Sequence, residues 1–181
     1  MDYGPWSMDD STMDTHYIFE TDRLLVRRYT KEDFENFFRL NGDEEVVRYI
    51  RPVQSREEAM AAFEKQLADY EAMPGYGRWA VHLKATGEFV GSFAMIPIPD
   101  DTDKMQLGYA FPKESWGKGY ATELTIAGLD HFRNQTTLPE IYAVTETPNV
   151  ASQKVLQKAG FQPFGTKMEG DKELLVFIVK R

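Results

Sequence analysis

Two glycines stand at alternate positions in residues 116–121, which read Trp-Gly-Lys-Gly-Tyr-Ala between a predicted strand and a predicted helix. Glycine lets the backbone turn tightly and approach a ligand closely. The helix that follows would present unpaired N–H groups and a positive dipole end, which together suit a phosphate or pyrophosphate. Lys118 adds a positive charge. A plain tight turn would need the same two glycines, so position alone supports both interpretations equally.

The same loop does not match the two common nucleotide-binding motifs. A P-loop requires Gly-x-x-x-x-Gly-Lys-Ser/Thr, and no segment of the chain has that pattern. A dinucleotide-binding loop requires a third glycine where Thr122 stands. A nucleotide-binding protein that uses the glycine turn is therefore kept only as a third hypothesis.

A second polar group, Asn149 and Ser152, opens a later predicted helix. Asparagine is a favoured helix N-cap, and a serine in the first turn is compatible with a purely structural role. Considered alone, this pair indicates a capped helix more than a site.

Predicted strands and helices alternate along the chain, and these elements must position the residues named above. The predicted strands cover residues 24–29, 79–84, 89–96, 105–111, 141–145 and 174–179, with a short further strand near Phe164. The predicted helices begin at Thr30, Ser55, Tyr120 and Asn149. Residues 97–104 are expected to form an exposed loop. Interleaved helices and a central hairpin predict an α/β fold with a mixed sheet and helices on both faces.

Composition narrows the functional classes. The chain has 181 residues and no cysteine, which excludes disulfides and thiolate catalysis. Its net charge is −8, and an acidic chain is a poor partner for nucleic acid. An acidic chain suits a cationic or amine-bearing partner better, and the acidic stretch at residues 100–103 could attract one. No apolar run reaches the length of a membrane span, and a cytoplasmic location is expected. We predict a flexible extension at residues 1–15 and one domain at residues 16–181.

The three histidines are scattered, so no metal site is predicted. His82 is expected to have a surface or structural role, because it faces away from Trp79 and Val81 on its strand. His131 is expected to lie on a helix face.

In combination, the motifs resemble the GNAT superfamily of N-acetyltransferases, especially its ribosomal-protein N-acetyltransferase-like (RimJ/RimL-type) branch. Residues 20–27 are similar to the first strand of that branch. Residues 107–111 with 116–123 are similar to its acetyl-CoA motif, and residues 149–161 to its second motif. The resemblance covers nearly the whole chain and implies a GNAT-type fold that uses acetyl-CoA as co-substrate, with no metal.

The resemblance also implies roles for the matched positions. Backbone N–H groups in residues 117–122 would hold the CoA pyrophosphate. The strand that carries Tyr109 would splay from its neighbour, and a backbone N–H near Tyr109 or Ala110 would polarise the thioester carbonyl. The implied cofactor-binding residues are Tyr109, Ala110, Phe111, Trp116, Gly117, Lys118, Gly119, Tyr120, Ala121, Thr122, Asn149 and Ser152.

The catalytic residues are less well indicated. Leu156 occupies the position where many family members carry a tyrosine that acts as acid toward the thiolate. The branch suggests Ser152 as the substitute, and Glu146 is a candidate base that could equally be a solvated carboxylate. The implied catalytic residues are thus Ser152, Glu146 and Tyr109. The absence of the tyrosine also motivates an alternative, a non-catalytic acyl-CoA-binding module.

Family analogy alone suggests the acceptor, a small-molecule or peptide amine such as a protein N-terminal amine. Its pocket is expected between the first two helices and residues 73–78. Because dimers are common in the family, the resemblance is also compatible with a homodimer.

Overall fold

A computed structural model describes residues 16–99 and 101–181. The extension predicted at residues 1–15 and Asp100 of the acidic stretch lie outside the described residues. Within the described part, no helix is long and apolar enough to cross a membrane.

Within residues 16–99 and 101–181, eight strands form one mixed sheet in the order β1-β2-β3-β4-β5-β6-β8-β7. Their bounds are Tyr17–Glu20 (β1), Leu24–Arg27 (β2), Gly77–Leu83 (β3), Phe89–Ile98 (β4), Asp101–Ala110 (β5), Glu140–Glu146 (β6), Gln162–Glu169 (β7) and Lys172–Lys180 (β8). Every neighbouring pair is antiparallel except β5 and β6, which are parallel. The antiparallel pairing of the sheet is therefore interrupted at one place near its centre, by the parallel pair β5–β6.

Five helices in the described part of the chain cover the sheet. Their bounds are Phe34–Asn41 (α1), Glu44–Val47 (α2), Arg56–Ala72 (α3), Tyr120–Gln135 (α4) and Val150–Lys158 (α5). Ser55 caps α3 in a full capping box with Glu58. The cap of α5 is Asn149, whose side chain accepts a hydrogen bond from the N–H of Ser152. Just past the end of α5, Gly160 has φ +91°, a conformation that glycine adopts without strain.

Each face of the sheet has its own aromatic core. On one face, Trp79 and Phe93 stack against Phe132 of α4. On the other face, Tyr29 makes edge-to-face contacts with Phe37 of α1 and Phe63 of α3. Burial of these rings fixes α4 against one face and the pair α1–α3 against the other, because large aromatic side chains dominate core energetics. The predicted mixed sheet with helices on both faces is confirmed.

The predicted hairpin β3–β4 and the predicted helices α3, α4 and α5 are present, with boundaries shifted by a few residues. The short segments were missed. β1 and α2 have four residues each, too few to show a repeating pattern. The helix expected from Thr30 starts as a 3₁₀ turn over Lys31–Asp33 before α1 begins.

The exposed loop expected at residues 97–104 is wrong. β4 continues to Ile98 and β5 already begins at Asp101, so the two strands form one long hairpin. Asp101, Asp103 and Lys104, whose charges suggested a loop, lie on β5, where Asp101 forms an ion pair with Lys104 at 2.7 Å. Strand pairing therefore overrides the local preference of these residues for a loop.

His82 was expected, from the sequence, to have either a surface or a structural role. The surface role is wrong, and the structural role is confirmed. The ring is buried on the face of β3 opposite Trp79, where it makes an edge-to-face contact with Phe89, its cross-strand partner on β4. Its Nδ1 atom lies 3.0 Å from the carbonyl oxygen of Gly87, so the ring fastens the turn of the β3–β4 hairpin. His131 lies on α4 as expected, half-buried and stacked on Phe19.

Candidate active site

The parallel strands β5 and β6 separate toward their C-terminal ends. A single pair, Gln106 and Tyr142, joins them. Beyond it, within the described residues, the edges of β5 up to Ala110 and of β6 up to Glu146 pair with no strand between them. An open strand edge offers N–H and C=O groups to an extended ligand, which can bind as an added strand. The splay predicted for this strand pair is therefore present.

The glycine turn lies at the end of the chain segment that follows β5. Gly117 has φ +74° and Gly119 has φ +81°, which side chains with a Cβ rarely adopt. Gly119 is also the N-cap of α4. The first backbone hydrogen bond of α4 runs from the N–H of Glu123 to the carbonyl of Gly119. The N–H groups of residues 120–122 are left without helical partners, as at any helix start, and a 16-residue helix adds its positive dipole end. This arrangement suits a pyrophosphate.

Trp116 spans the base of this loop. Its indole Nε1 donates a hydrogen bond to the carbonyl oxygen of Phe111 at 2.7 Å, while half of its surface stays exposed. The bond ties the start of the loop to the end of β5. The exposed ring face is available to an elongated ligand that runs from the splayed edge to the loop.

Arg23, the residue before β2, contacts the glycine turn and holds it against α4. Its guanidinium donates to the carbonyl oxygen of Lys118 at 3.0 Å and pairs with Glu123 of α4 at 2.6 Å. It also lies 4.7 Å from the ring centre of Tyr120. Burial raises the pKa of the Glu123 carboxyl, but hydrogen bonds from Thr21 and Arg23 more than offset this and leave the pKa below its ordinary value. One residue thus fixes both the loop and the first turn of α4.

We expect Arg23→Met to weaken acetyl-CoA binding about three- to tenfold, since exposed ion pairs and cation–π contacts each contribute up to about 1 kcal/mol. Calorimetric titration measures the change. Arg133→Met is the matched control, because Arg133 also donates to a carbonyl, that of Lys180, but at the far end of α4. Equal effects of the two substitutions would contradict a brace on the loop.

The side chains of Ser152 in α5 and Tyr109 in β5 are in contact. The Tyr109 hydroxyl lies 3.0 Å from Ser152 Oγ, which places the first turn of α5 against the end of β5. Burial raises the pKa of the Tyr109 phenol to about 12, although its hydrogen bond with Ser152 acts in the opposite direction. Tyr109 is therefore protonated at neutral pH, and the pair can donate one hydrogen bond outward. The sequence pointed to the Tyr109 backbone and to Ser152 separately, and it missed the contact between their hydroxyls.

Asn149 holds α5 in place. Its Oδ1 accepts a hydrogen bond from the N–H of Ser152 at 3.2 Å, so the helix-capping role is present. In the described part of the chain, its amide nitrogen has no hydrogen-bond partner. Asn149 can therefore cap α5 and still donate to a ligand in the splayed region.

Glu146 ends β6 on the other face of the sheet. Strand alternation from the Gln106–Tyr142 pair places Glu146 on the same face as Gly108 and Ala110, opposite Tyr109. Its carboxylate forms an ion pair with Lys172 of β8. A base on one face and the hydroxyl pair on the other would lie on opposite sides of a group held between the strands.

A cleft lies over the Ala110 face. Its floor is a lane of small residues, since Ser92 pairs with Ala110 and Ala94 pairs with Gly108. A Cβ added at Gly108 would meet only the Ala94 Cβ, at 3.9 Å, so space above the floor is open. At the Ala110 end, the cleft narrows into a cavity lined by Tyr29, Phe37, Leu40, Asn41, Val47, Ile50, Arg51, Arg78, Ser92 and Ala110. The acceptor pocket was expected between the first two predicted helices, which are α1 and α3, and residues 73–78. Of these, only α1 and Arg78 line the cavity, and α2 takes the place expected for α3.

Three arginines of this region were not singled out from the sequence: Arg23, Arg51 and Arg78. Arginine is common on protein surfaces, and only its position in the fold distinguishes these three. Among residues 16–99 and 101–181, no cluster of three or more His, Asp or Glu side chains could hold a metal ion.

Comparison with known proteins gives consistent matches. The sequence profile of a family described as "Acetyltransferase (GNAT) domain" matches residues 23–162. An uncharacterized N-acetyltransferase of Bacillus subtilis (strain 168), YoaA, is 31% identical over 150 residues, covering 82% of this chain and 84% of the relative. A GNAT-family acetyltransferase structure from Bacillus anthracis superposes with a TM-score of 0.78 at 22% identity, covering 91% and 98% of the two chains. Spermidine N-acetyltransferase from Vibrio cholerae, solved with CoA and spermine, has a TM-score of 0.71 at 20% identity and covers 87% and 95%.

Proposed function

The chain belongs to the GNAT acetyltransferase family, and we propose that it moves the acetyl group of acetyl-CoA directly to a primary amine while both substrates are bound. It is an acetyl-CoA-dependent N-acetyltransferase by family, as the resemblance predicted. The observation that carries the rest is the open edge between β5 and β6, which ends at a glycine turn and the N-terminus of α4. An extended ligand with a pyrophosphate at one end fits this combination.

The residues that would hold acetyl-CoA follow from that geometry. The N–H groups of residues 117–122 would bind the pyrophosphate, with Lys118 near it and Trp116 beside the loop. The backbone from Tyr109 to Phe111 would hold the pantetheine arm and the thioester, and the Asn149 amide would donate to that arm. A backbone donor aimed at a developing oxyanion contributes about 3–4 kcal/mol. Holding both reactants in line contributes roughly 7–11 kcal/mol more.

Direct transfer is supported by the composition of the chain, because there is no cysteine to carry an acetyl group. The amine nitrogen forms the new bond to the carbonyl carbon, the carbon–sulfur bond breaks, and the sulfur leaves as a thiolate. Initial-rate kinetics with both substrates varied should give intersecting double-reciprocal lines. Parallel lines would contradict the ternary complex.

We assign stabilisation of the leaving thiolate to Ser152, with Tyr109 donating to the serine hydroxyl. A pKa of about 12 for the phenol exceeds the value of about 8.5 for an ordinary thiol, so complete proton transfer from Tyr109 is uphill. The pair would therefore act by hydrogen-bonding the sulfur as negative charge develops. The proton that the sulfur finally takes would come from the amine by way of solvent.

Glu146 is our candidate for removing a proton from the amine. We expect Glu146→Gln to lower kcat/KM about tenfold near neutral pH, below the hundredfold of a dedicated base, because the ion pair with Lys172 restrains the carboxylate. The deficit should shrink as pH rises and the amine deprotonates unaided. A pH–rate profile measures this, with Glu140→Gln as control, since Glu140 lies on the same face at the other end of β6. A deficit independent of pH would contradict the role of base.

The experiment that tests the proposed function is a screen of amines and short peptides with acetyl-CoA, scored by thiol release and by mass gain of one acetyl group. Thiol release that matches acetylated amine is the expected result. A chain that binds acetyl-CoA yet acetylates no amine would favour the alternative, a non-catalytic acyl-CoA-binding module.

A further inference from the structure

Two arginines line the cavity at the Ala110 end of the cleft. Arg51 follows α2 and Arg78 lies in β3, and both are largely buried. The nine ion pairs of the described residues include neither of them. Two positive charges thus face one small cavity beside the strand end that would hold the thioester.

Arg51 is held in a fixed position by a neutral partner. It donates to Asn41 Oδ1 at 2.9 Å, and Asn41 in turn donates from Nδ2 to the carbonyl of Phe37 at 2.8 Å. The second bond orients the amide so that its oxygen faces the guanidinium. An amide oxygen satisfies one N–H of Arg51 but leaves its charge uncompensated, and a guanidinium has five N–H donors.

Arg78 has still less compensation. Burial lowers the pKa of Arg78 to about 10, and repulsion from Arg51 acts in the same direction. The guanidinium is nevertheless charged at neutral pH. The carboxylate that attracts it at longer range is Asp69, which is paired with Lys65 at 2.8 Å. The positive charge of Arg78 is therefore buried without a carboxylate partner in the described part of the chain.

A third arginine of the same face shows the usual arrangement. Arg27 binds both carboxylate oxygens of the buried Asp33, at 2.7 and 2.9 Å. Buried charges in proteins are normally paired in this way, because an unpaired one carries a large desolvation penalty. Among the described residues, Arg51 and Arg78 lack such a carboxylate partner, and both line the same cavity. Two unpaired arginines at one cavity are the arrangement expected of an anion-binding site.

The cavity is small. Its volume is about 30 Å³, which exceeds what one water molecule needs by about a factor of two. A carboxylate, with two oxygens, matches this space and the planar fork of a guanidinium. Glu146, on the same sheet face across the open end of the strands, leaves a negative charge on the side where the amine would lie.

Resting on the proposed acetyl transfer, we propose that the acceptor is a small amine that carries a carboxylate near its amino group, as an α-amino acid does, and that Arg51 and Arg78 bind this carboxylate. Such an acceptor is still amine-bearing, one of the two partner classes that the acidic composition favoured, but it carries no net positive charge. A polyamine would bring further positive charge toward two buried arginines, and like charges in such a place are strongly unfavourable.

Matched acceptors test the proposal. L-alanine, L-phenylalanine and L-glutamate are compared with their α-carboxamides, with spermidine and with phosphoethanolamine, under saturating acetyl-CoA. We expect kcat/KM for each acid to exceed that for its amide by roughly 30-fold or more, because losing one partner of a buried charged pair costs at least that much. Amidation lowers the pKa of the amine, which alone would favour the amides, so amine reactivity cannot produce this preference. Equal rates within the pairs, or a preference for spermidine or phosphoethanolamine, would overturn the proposal.

Substitutions at the arginines separate recognition from folding. Arg51→Gln and Arg78→Gln should each lower kcat/KM for the acids about 30-fold or more while changing the rates with amides and the affinity for acetyl-CoA less than about threefold. Arg48→Gln is the control, since Arg48 lies on the same segment, exposed and against Tyr49. An equal loss with acids and amides would show that the arginines only maintain the fold and would overturn the proposal. Failure to acetylate any amine would overturn the transfer itself, whereas transfer without a carboxylate preference would overturn this inference alone.

Discussion

Replacing Gly119 with valine will lower the affinity for acetyl-CoA by about 100-fold or more. Gly119 has φ +81°, where a β-branched residue is strained, and a Cβ there would approach Arg23 Nη2 to 3.4 Å. The strain costs about 1–3 kcal/mol and is relieved only when the loop moves. Movement takes the N–H groups of residues 120–122 away from a pyrophosphate, and a hundredfold loss corresponds to about 2.7 kcal/mol. Calorimetric titration with acetyl-CoA measures the effect.

Gly170→Val is the control for this substitution. Gly170 has φ +59° in the turn between β7 and β8, and a Cβ there would meet nothing within 4 Å. The control should lose stability through the same backbone strain and keep its affinity for acetyl-CoA. If both variants bind acetyl-CoA as the intact chain does, the glycine turn does not hold the pyrophosphate.

The second large effect is expected at Ser152. Ser152→Ala should lower kcat roughly 100-fold, the loss typical of removing one preorganised donor to a developing negative charge. Tyr109→Phe should lower kcat about tenfold, since it removes the donor to Ser152 and leaves the serine hydroxyl in place. Neither substitution should change the dissociation constant of acetyl-CoA more than about threefold, because the interaction strengthens only as the thiolate forms. Initial rates at saturating acetyl-CoA, with binding measured separately, give both quantities.

Ser152→Thr is the control for the serine, because it keeps a hydroxyl at the same position. Partial recovery of kcat with threonine is expected. A double variant, Ser152→Ala with Tyr109→Phe, should be no slower than Ser152→Ala alone, since the tyrosine acts through the serine. Additive losses, or a loss confined to acetyl-CoA binding, would contradict the assignment.

Much of the fold follows from local sequence patterns. The capping box at Ser55, the αL residue Gly160 and the hairpin turn at Gly87 each fix one boundary by backbone chemistry that depends on a few neighbours. The short segments β1 and α2 were missed because their four residues show no period. Residues 101–104 were misread because their charged side chains and the nearby prolines favour a loop, whereas pairing of β5 with β4, from Asp101 opposite Ile98 onward, extends the strand.

The site divides in the same way. The glycine turn before α4 could be identified from sequence, because positive φ values and a helix start require recognisable residues. The contact between Tyr109 and Ser152 joins positions 43 residues apart. The convergence of Arg51 and Arg78 depends on how α1 and α2 pack over β3. Such contacts arise only from the tertiary fold, and no spacing within the chain indicates them.

Net charge does not describe the cavity at the end of β5. The chain carries −8 overall, yet the cavity that reaches Ala110 at the end of β5 is lined by two arginines. Net charge describes the average surface and long-range steering, whereas selection of a bound group depends on the side chains within hydrogen-bonding distance. The acceptor class must therefore be inferred from the cleft.

The most direct test of the central claim is a calorimetric titration of the intact chain with acetyl-CoA. Binding at one site per chain with a dissociation constant in the micromolar range is the expected result, equivalent to about −8 kcal/mol. ATP and NAD, titrated alongside, should give no heat. Absence of acetyl-CoA binding, or binding of those nucleotides in its place, would contradict the assignment of the splayed strands and the glycine turn as an acetyl-CoA site.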